Sequence, residues 1–150
     1  MKGSCLCKAV TFSVDAEFEH SPEACHCQQC RKQTGGFFIS VNIRKRDMRL
    51  RGDAHVVWYQ SSQEVERGFC GRCGSTLFWQ PLKKDYEWVG VSASLFDSPL
   101  SLKMAKHTFV SEQGSYYDIA DGVSQHPRYG IVVAKGATER PKQDVLGQLC

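Results

Sequence analysis

The chain has 150 residues, a formal net charge of +3 and eight cysteines. A domain of this length buries roughly 68–70% of its unfolded surface, so its core does not depend on disulfides. We therefore predict a single domain over residues 1–150. Residues 1–5 lack the apolar region of a signal peptide, and no run approaches the roughly 18 apolar residues of a membrane span. We expect a cytoplasmic protein with no membrane partner, in which clustered cysteines serve metal or redox chemistry.

The small positive charge is a weak signal for nucleic-acid binding. Seven metal-bound thiolates and two divalent ions would lower it by three, which leaves the protein near neutrality. The basic residues within 44–51 are typical of an exposed strand edge, where they prevent pairing with another sheet. We expect a solvated edge there, with nucleic-acid binding as the weaker alternative.

Apolar and polar residues alternate in most of the first half of the chain, which is the period of half-buried strands. One segment is helical instead, because it is long enough for a turn or two and Gly35-Gly36 follow it. In chain order we predict a strand at 8–14, an extended segment at 23–27, a helix at 28–34 and a strand at 37–43 whose odd-numbered side chains share a face.

The second half of the chain is predicted to consist of further short strands. They fall at 47–51, 54–60, 64–69, 75–80, 86–93 and 104–110, with a single helical turn at 115–120 and a surface or disordered tail at about 135–150. Aromatic residues in these strands are interpreted first as core and second as a binding wall: Trp58, Tyr59, Phe78, Trp79 and Trp88. The expected fold class is mainly β, with twisted antiparallel sheets of many short strands.

The densest motif is the Cys-His-Cys-Gln-Gln-Cys run at residues 25–30. Its cysteines, Cys25, Cys27 and Cys30, offer a metal three ligands, one fewer than tetrahedral zinc takes. An open fourth position is typical of catalytic zinc. In an extended segment His26 points away from its neighbours, so we expect a packed or solvent-facing ring rather than a ligand.

A second interpretation of this motif is a closed site that a remote residue completes. The candidates for the fourth ligand are His55, His107 and Cys150. In that case the metal would have no open position and no direct role in catalysis.

Two further cysteine pairs predict a four-thiolate structural site. Cys70-Gly-Arg-Cys73-Gly has the form of a zinc knuckle, in which glycines permit backbone N–H groups to approach the sulfurs. A redox dithiol is the alternative, but strand-like residues follow the motif where a helix would be needed. Cys5 and Cys7 supply the remaining ligands, and their metal would tie the first strand to the middle of the sheet.

Together these motifs resemble the glutathione-dependent formaldehyde-activating enzyme (GFA) family, whose relatives include centromere protein V. The resemblance rests on residues 3–7, 25–36 and 70–74, and more loosely on 91–97 and on His107, Tyr117 and Asp121-Gly122. It implies a twisted, mostly antiparallel β fold similar to that of a Rab-associated zinc chaperone. It also implies two zinc ions per chain, a structural one at Cys5, Cys7, Cys70 and Cys73 and a catalytic one at Cys25, Cys27 and Cys30.

The activity that the resemblance implies is the addition of glutathione to formaldehyde, classed as a carbon–sulfur lyase reaction. We therefore expect an enzyme whose partners are a small thiol and a small aldehyde. Lys32, Thr34 and the backbone amides of Gly35 and Gly36 are candidates for binding a substrate carboxylate. The sequence points to no general base. The alternative function is a non-catalytic, zinc-stabilised module that binds a protein.

Overall fold

The computed structural model describes residues 1–129 and shows a mainly β protein, as predicted. The predicted tail at 135–150 lies outside the described residues. No helix within residues 1–129 has the length and apolar character needed to cross a membrane. The elements are β1 (Lys2–Ser4), β2 (Thr11–Val14), β3 (Glu23–Cys25), α1 (Gln28–Thr34), β4 (Phe38–Arg44), β5 (Met48–Arg51), β6 (Val56–Gln60), β7 (Val65–Cys70), β8 (Thr76–Pro81), β9 (Trp88–Ser92), β10 (Lys106–Thr108) and β11 (Ser124–Gln125).

The strands form two sheets. A three-stranded antiparallel sheet has the order β1-β2-β5, and an eight-stranded sheet has the order β11-β10-β3-β4-β9-β8-β7-β6. The prediction of antiparallel pairing fails at one end, because β10 runs parallel to both β3 and β11. Parallel neighbours need a long connection, and β10 reaches β3 only after some 80 intervening residues.

The main hydrophobic core lies between the two sheets. Its aromatic centre is Phe12 of β2, whose ring centroid is 6.5 Å from that of Phe78 and 5.3 Å from that of Phe96. Alternation in β2 brings Phe12 and Val14 to the buried face, which is the pattern that predicted this strand. Val10, Val41, Ile43, Leu77, Val89 and Val91 are buried in the same core.

Strand β4 is covered on both faces, and its odd-numbered and even-numbered side chains lie on opposite sides, as predicted. Val41 and Ile43 belong to the main core. Phe38, on the opposite face, is buried in a second cluster with Cys27 and Cys30. Phe37 precedes the strand, and its ring lies 4.8 Å from the His26 ring.

Helix α1 begins and ends where the sequence predicts. Cys27 caps its first turn, with its Sγ accepting a hydrogen bond from the N–H of Cys30 at 3.5 Å. Gly35 ends the helix with φ at +78°, and its N–H donates to the Arg31 carbonyl at 2.8 Å.

The segment at 115–120 is not the predicted helical turn. Residues 115 and 116 form a turn, and the following residues are irregular. The Gln113 side-chain amide donates to the Tyr117 carbonyl at 2.6 Å, which holds the backbone in another conformation. Strands β1 and β11, with three and two residues, were not predicted, because segments of this length show no clear period.

The basic stretch at 44–51 occupies two different environments. Arg44 lies in β4, pairs with Glu19 and Glu87 at 2.8 Å each and stacks over Trp88. Residues 48–51 form β5, an edge strand of the smaller sheet, as the prediction of a solvated edge requires.

Replacing Gly74 by alanine is expected to destabilise the protein. Gly74 has φ at +75°, and a Cβ at this position would meet nothing within 4 Å, so the cost is purely conformational. We expect a loss of about 1–2 kcal/mol in the free energy of unfolding, measured by urea denaturation of the metal-loaded protein. Gly36→Ala is the matched control, because Gly36 has equal space but no left-handed φ. Equal stability of the two variants would contradict this explanation.

Candidate metal centres

Four cysteine sulfurs meet where the two sheets join. The sulfurs of Cys5, Cys7, Cys70 and Cys73 all lie within 4.8 Å of one another. The Cys5–Cys7 and Cys7–Cys70 sulfur separations are 3.6 and 3.8 Å. These distances are too long for a disulfide, whose sulfurs are about 2.05 Å apart. They fit a tetrahedral ion, since Zn–S bonds of about 2.3 Å place sulfurs about 3.8 Å apart.

Left-handed residues shape the backbone around this four-cysteine group. Lys8, with φ at +60°, follows Cys7, and Gly74 follows Cys73. The turn after Cys7 allows the N–H of Val10 to donate to the Cys5 sulfur at 3.3 Å. At the other pair, the Ser75 hydroxyl, helped by backbone N–H donors, lowers the pKa of Cys73 to about 5.

The position of the four-cysteine group corrects one expectation. Cys70 ends β7, and β7 is the second strand from the edge of the larger sheet rather than its middle. The group therefore joins the segment after β1 to one side of the eight-stranded sheet. All its donors are sulfur atoms, which zinc accepts readily.

The second group is built from residues close in sequence. Cys25 ends β3, Cys27 caps α1, and Cys30 lies in the first helical turn. Their sulfurs also lie within 4.8 Å of one another, and the group could hold a metal ion. Cys25 and Cys27, together with burial, raise the pKa of the Cys30 thiol, because neighbouring thiolates repel a further negative charge. A divalent cation would remove this penalty.

His26 is packed and is not positioned as a ligand, as the sequence predicts. Its ring is fully buried, and both ring nitrogens have partners. Nδ1 lies 2.7 Å from the Tyr117 hydroxyl, and Nε2 lies 2.8 Å from Nδ1 of His107. His107 in turn places its Nε2 2.9 Å from the Asp121 carboxylate.

This chain of four side chains has a defined direction. The hydrogen bond from His107 lowers the pKa of Asp121, so the carboxylate is ionised and accepts. Burial, with the nearby His107, lowers the pKa of His26 to about 4, which keeps its ring neutral at neutral pH. In the His107 tautomer that carries its proton on Nε2, facing Asp121, His26 donates from Nε2 to Nδ1 of His107 and accepts the Tyr117 proton at its own Nδ1. The chain thus holds the His26 ring through both of its nitrogens.

The proposed remote ligands do not complete the three-cysteine group within residues 1–129. His107 uses both nitrogens in the chain just described, and His55 is absent from the group. Cys150 lies outside the described residues. Among the described histidines, cysteines and acids, three sulfurs form the complete donor set.

A buried arginine, which the sequence analysis missed, contacts the three-cysteine group. Arg67 of β7 is 3% exposed, and its Nη1 donates to the Cys30 sulfur at 3.6 Å. The guanidinium also donates to the side-chain carbonyls of Gln33 and Gln29 at 3.2 and 3.3 Å, and to the Ser61 hydroxyl at 3.0 Å. None of these acceptors, all within the described part of the chain, is a carboxylate.

Arg67 supplies charge that the three-cysteine group requires. A buried guanidinium needs a nearby negative charge, and here a thiolate is the acceptor that can carry one. Three thiolates around a divalent ion would leave one net negative charge, which the Arg67 guanidinium would offset. Gln29 and Gln33, one helical turn apart on α1, hold the guanidinium in place. A lone arginine in a strand pattern gives no sequence signal for this contact.

A cavity lies against the three-cysteine group. We call it the aromatic cavity; its wall includes Cys25, Cys30, Phe38, Trp79 and Phe109. The side chains come from β3, α1, β4, β8 and the residue after β10, so distant parts of the chain converge there. The position of Trp79 therefore supports its interpretation as part of a binding wall rather than as a core residue.

The four residues predicted to bind a substrate carboxylate lie outside the wall of this cavity. Thr34 lines a separate, broader groove, and its hydroxyl donates to the Cys30 carbonyl at 2.8 Å. The Gly35 and Gly36 amides already donate, to the Arg31 carbonyl and the Thr34 hydroxyl. Lys32 has an exposed side chain. Carboxylate binding by these residues stays a prediction.

Comparison with known proteins identifies the family. The sequence model described as glutathione-dependent formaldehyde-activating enzyme matches residues 1–112, about three quarters of the chain. The chain belongs to this family. An uncharacterized lyase of Schizosaccharomyces pombe is 27% identical over 123 residues, which cover 82% of this chain and 88% of the relative. A crystal structure of a Rhodobacter sphaeroides protein is 28% identical, with a TM-score of 0.54 over 67% of this chain and 92% of that one.

Metal content distinguishes the two groups of this GFA-family chain. We expect two zinc ions per chain, measured by inductively coupled plasma mass spectrometry. Cys27→Ser should lose one ion and keep the fold, because serine also caps a helix. Cys70→Ser should abolish cooperative thermal unfolding, since its metal joins two sheets. Two ions in Cys27→Ser, or normal unfolding of Cys70→Ser, would contradict these roles.

Arg67→Met is expected to weaken metal binding at the three-cysteine group by about 10–100-fold, the usual effect of losing a group that orients or charges a ligand. Competition with a chelator measures the affinity, and the thiolate charge-transfer band of the cobalt-substituted protein reports the sulfur environment. Arg67→Lys should recover part of the affinity, because it keeps the charge but not the planar fork.

Arg72→Met is the matched control, because Arg72 is exposed and lies beside Cys73 of the other group. It should leave the chelator competition at the three-cysteine group unchanged. Unaltered affinity and cobalt spectrum in a folded Arg67→Met protein would refute the role of Arg67.

Proposed function

We propose that this chain is a zinc-dependent carbon–sulfur lyase of the GFA type that joins a thiol to a small aldehyde and reverses the reaction. Membership of the family and the lyase name of the yeast relative support an enzyme of this kind. The family description names glutathione and formaldehyde, which we take as the first substrate pair to test.

The observation that carries the proposal is the incomplete ligand set of Cys25, Cys27 and Cys30. Their sulfurs converge within 4.8 Å, and no fourth histidine, cysteine or acid among the described residues joins them. The group borders the aromatic cavity through Cys25 and Cys30, so a substrate can reach it. The four-cysteine group, in contrast, has a complete set for a structural ion.

In the proposed addition, one proton moves from the thiol sulfur to the carbonyl oxygen. The carbon–sulfur bond forms as the thiol loses its S–H proton, and the carbonyl oxygen gains a proton as its double bond becomes single. When bound, zinc supplies Lewis acidity toward a thiol or a carbonyl group. Arg67 limits the negative charge that accumulates around the sulfurs, and Cys27 fixes the start of α1 so that Cys30 keeps its place.

The proposed chemistry requires reduced cysteines. The seven cysteines within residues 1–129 form no disulfide. Thiols stay reduced in the cytoplasm, which is the compartment that we propose. Glutathione carries carboxylates, and we propose Lys32, beside the three-cysteine group in sequence, as a candidate contact for one of them, with Thr34, Gly35 and Gly36 forming the adjacent surface.

A zinc-stabilised module that binds a protein is the second candidate. It is favoured by β6, an edge strand of the larger sheet on which Val57, Trp58 and Tyr59 are 44%, 39% and 63% exposed. Exposed apolar edges of this kind are sites where another strand can add. This function would not depend on the three-cysteine group.

The test measures exchange between formaldehyde, glutathione and their adduct by carbon-13 exchange NMR. The zinc-loaded protein should accelerate exchange above the spontaneous rate. Cys27→Ser, which removes one ligand but keeps the helix cap, should return it to that rate. Tyr59→Ala, on the far edge strand, is the control and should retain full acceleration. Acceleration that survives in Cys27→Ser, or none at all in the wild-type protein, would reject this function with this substrate pair.

A further inference from the structure

Resting on the proposed function, we propose that the aromatic cavity receives an apolar ring carried by the aldehyde or by the thiol. Formaldehyde itself has no such group, so one of the two substrates would be a larger molecule with a ring. Cys25 and Cys30 border this cavity, and five aromatic rings line it: Phe38, Trp79, Tyr86, Phe109 and Tyr129. A guest that fills the cavity therefore lies against two of the three sulfur ligands.

The wall is apolar where it meets the cysteines. Cys27, Cys30, Phe38 and Phe109 form one buried cluster, and Trp79 packs against it. Binding sites for small molecules are typically lined in this way, with few polar groups. Formaldehyde has a single carbon and no apolar group that could contact such a wall. A ring, by comparison, can make edge-to-face contacts with Phe38, Trp79 and Phe109.

The backbone conformation of Phe109 indicates that this part of the wall is held in place by the surrounding structure. Phe109 has φ at +56° and ψ at +37°, a left-handed conformation that is unfavourable for a bulky residue. Its side chain is nonetheless buried, at 6% exposure, against the three-cysteine group. Strain of this kind is concentrated at functional sites, where the surrounding structure maintains it.

The polar part of the wall favours a neutral guest. Glu23 borders the cavity, and the Lys106 ammonium lies 3.2 Å from its carboxylate, so the pair adds no net charge. The other polar side chains of the wall are neutral: Ser40, Asn42, Tyr86, Thr108 and Tyr129. An ionised ring substituent would lose its hydration without gaining a counter-charge. We therefore expect an unsubstituted or neutral aromatic group.

The chemistry is the same whichever reactant carries the ring. The thiol loses its S–H proton, the sulfur bonds to the carbonyl carbon, and the carbonyl oxygen takes the proton. Two assays separate the sources. Faster reaction of glutathione with benzaldehyde than with acetaldehyde would place the ring on the aldehyde. Faster reaction of formaldehyde with benzyl mercaptan than with ethanethiol would place it on the thiol.

Binding is the primary test and does not depend on turnover. Affinities are measured by isothermal titration of the zinc-loaded protein. If the thiol carries the ring, benzyl mercaptan should bind at least about tenfold more tightly than ethanethiol. Whichever reactant carries the ring, benzyl alcohol should bind more tightly than ethanol. Trp79→Ala should remove these preferences. Trp58→Ala, which removes a tryptophan from the exposed edge strand, should preserve them. Equal affinity for ring and ethyl probes in wild-type protein overturns the proposal.

A second variant guards against misfolding of Trp79→Ala. Ser40→Leu adds bulk to the wall from β4, and it should weaken benzyl alcohol binding while the chain keeps two zinc ions. Undiminished binding in this folded variant also overturns the proposal. If glutathione and formaldehyde are accelerated but ring probes are not preferred, the proposed function stands and this inference fails. If ring probes are preferred but no thiol–aldehyde pair is accelerated, the cavity binds rings and the proposed function fails.

Discussion

Crowding of cysteine sulfurs is the constraint on which this structure depends. Seven sulfurs lie in two groups, each spanning less than 4.8 Å. At such distances thiolates repel one another, and Cys25 and Cys27 accordingly raise the pKa of Cys30. A cation held between the sulfurs would offset this repulsion. The four-cysteine group has its own hydrogen-bond donors, including Ser75, whereas the more deeply buried three-cysteine group has Arg67.

Strand β7 connects the two groups physically. It contributes Cys70 to the four-cysteine group and Arg67, three residues earlier, to the three-cysteine group. A displacement of β7 would disturb both at once. A metal held by Cys70, Cys5 and Cys7 would therefore also fix the register from which Arg67 reaches Cys30. In this arrangement a structural ion would influence the charge around the three-cysteine group through Arg67, without contacting its sulfurs.

The features that could be predicted from the sequence are those that depend on residues close together in the chain. The cysteine spacing gave both sulfur groups, and α1 was predicted with its observed bounds because Gly35 and the Cys27 cap act within a few residues. Contacts between distant residues were not predictable. Arg67 meets Cys30 across 37 positions, and His26 meets His107 across 81, so both depend on strand order and register. The parallel pairing of β10 is missed for the same reason, since no periodicity records the direction of a neighbour.

The surroundings of the three-cysteine group come partly from residues that the family comparison does not cover. The match ends at residue 112, whereas Tyr117 and Asp121 complete the chain that anchors His26, and Tyr129 lines the aromatic cavity. The sulfur ligands thus lie within the matched region, and part of the wall that a substrate would contact lies beyond it. Shared ligands determine which chemistry is available, while the wall determines which organic groups fit. The reaction class can therefore be inferred from the family, but the substrate has to be inferred from this chain's own cavity.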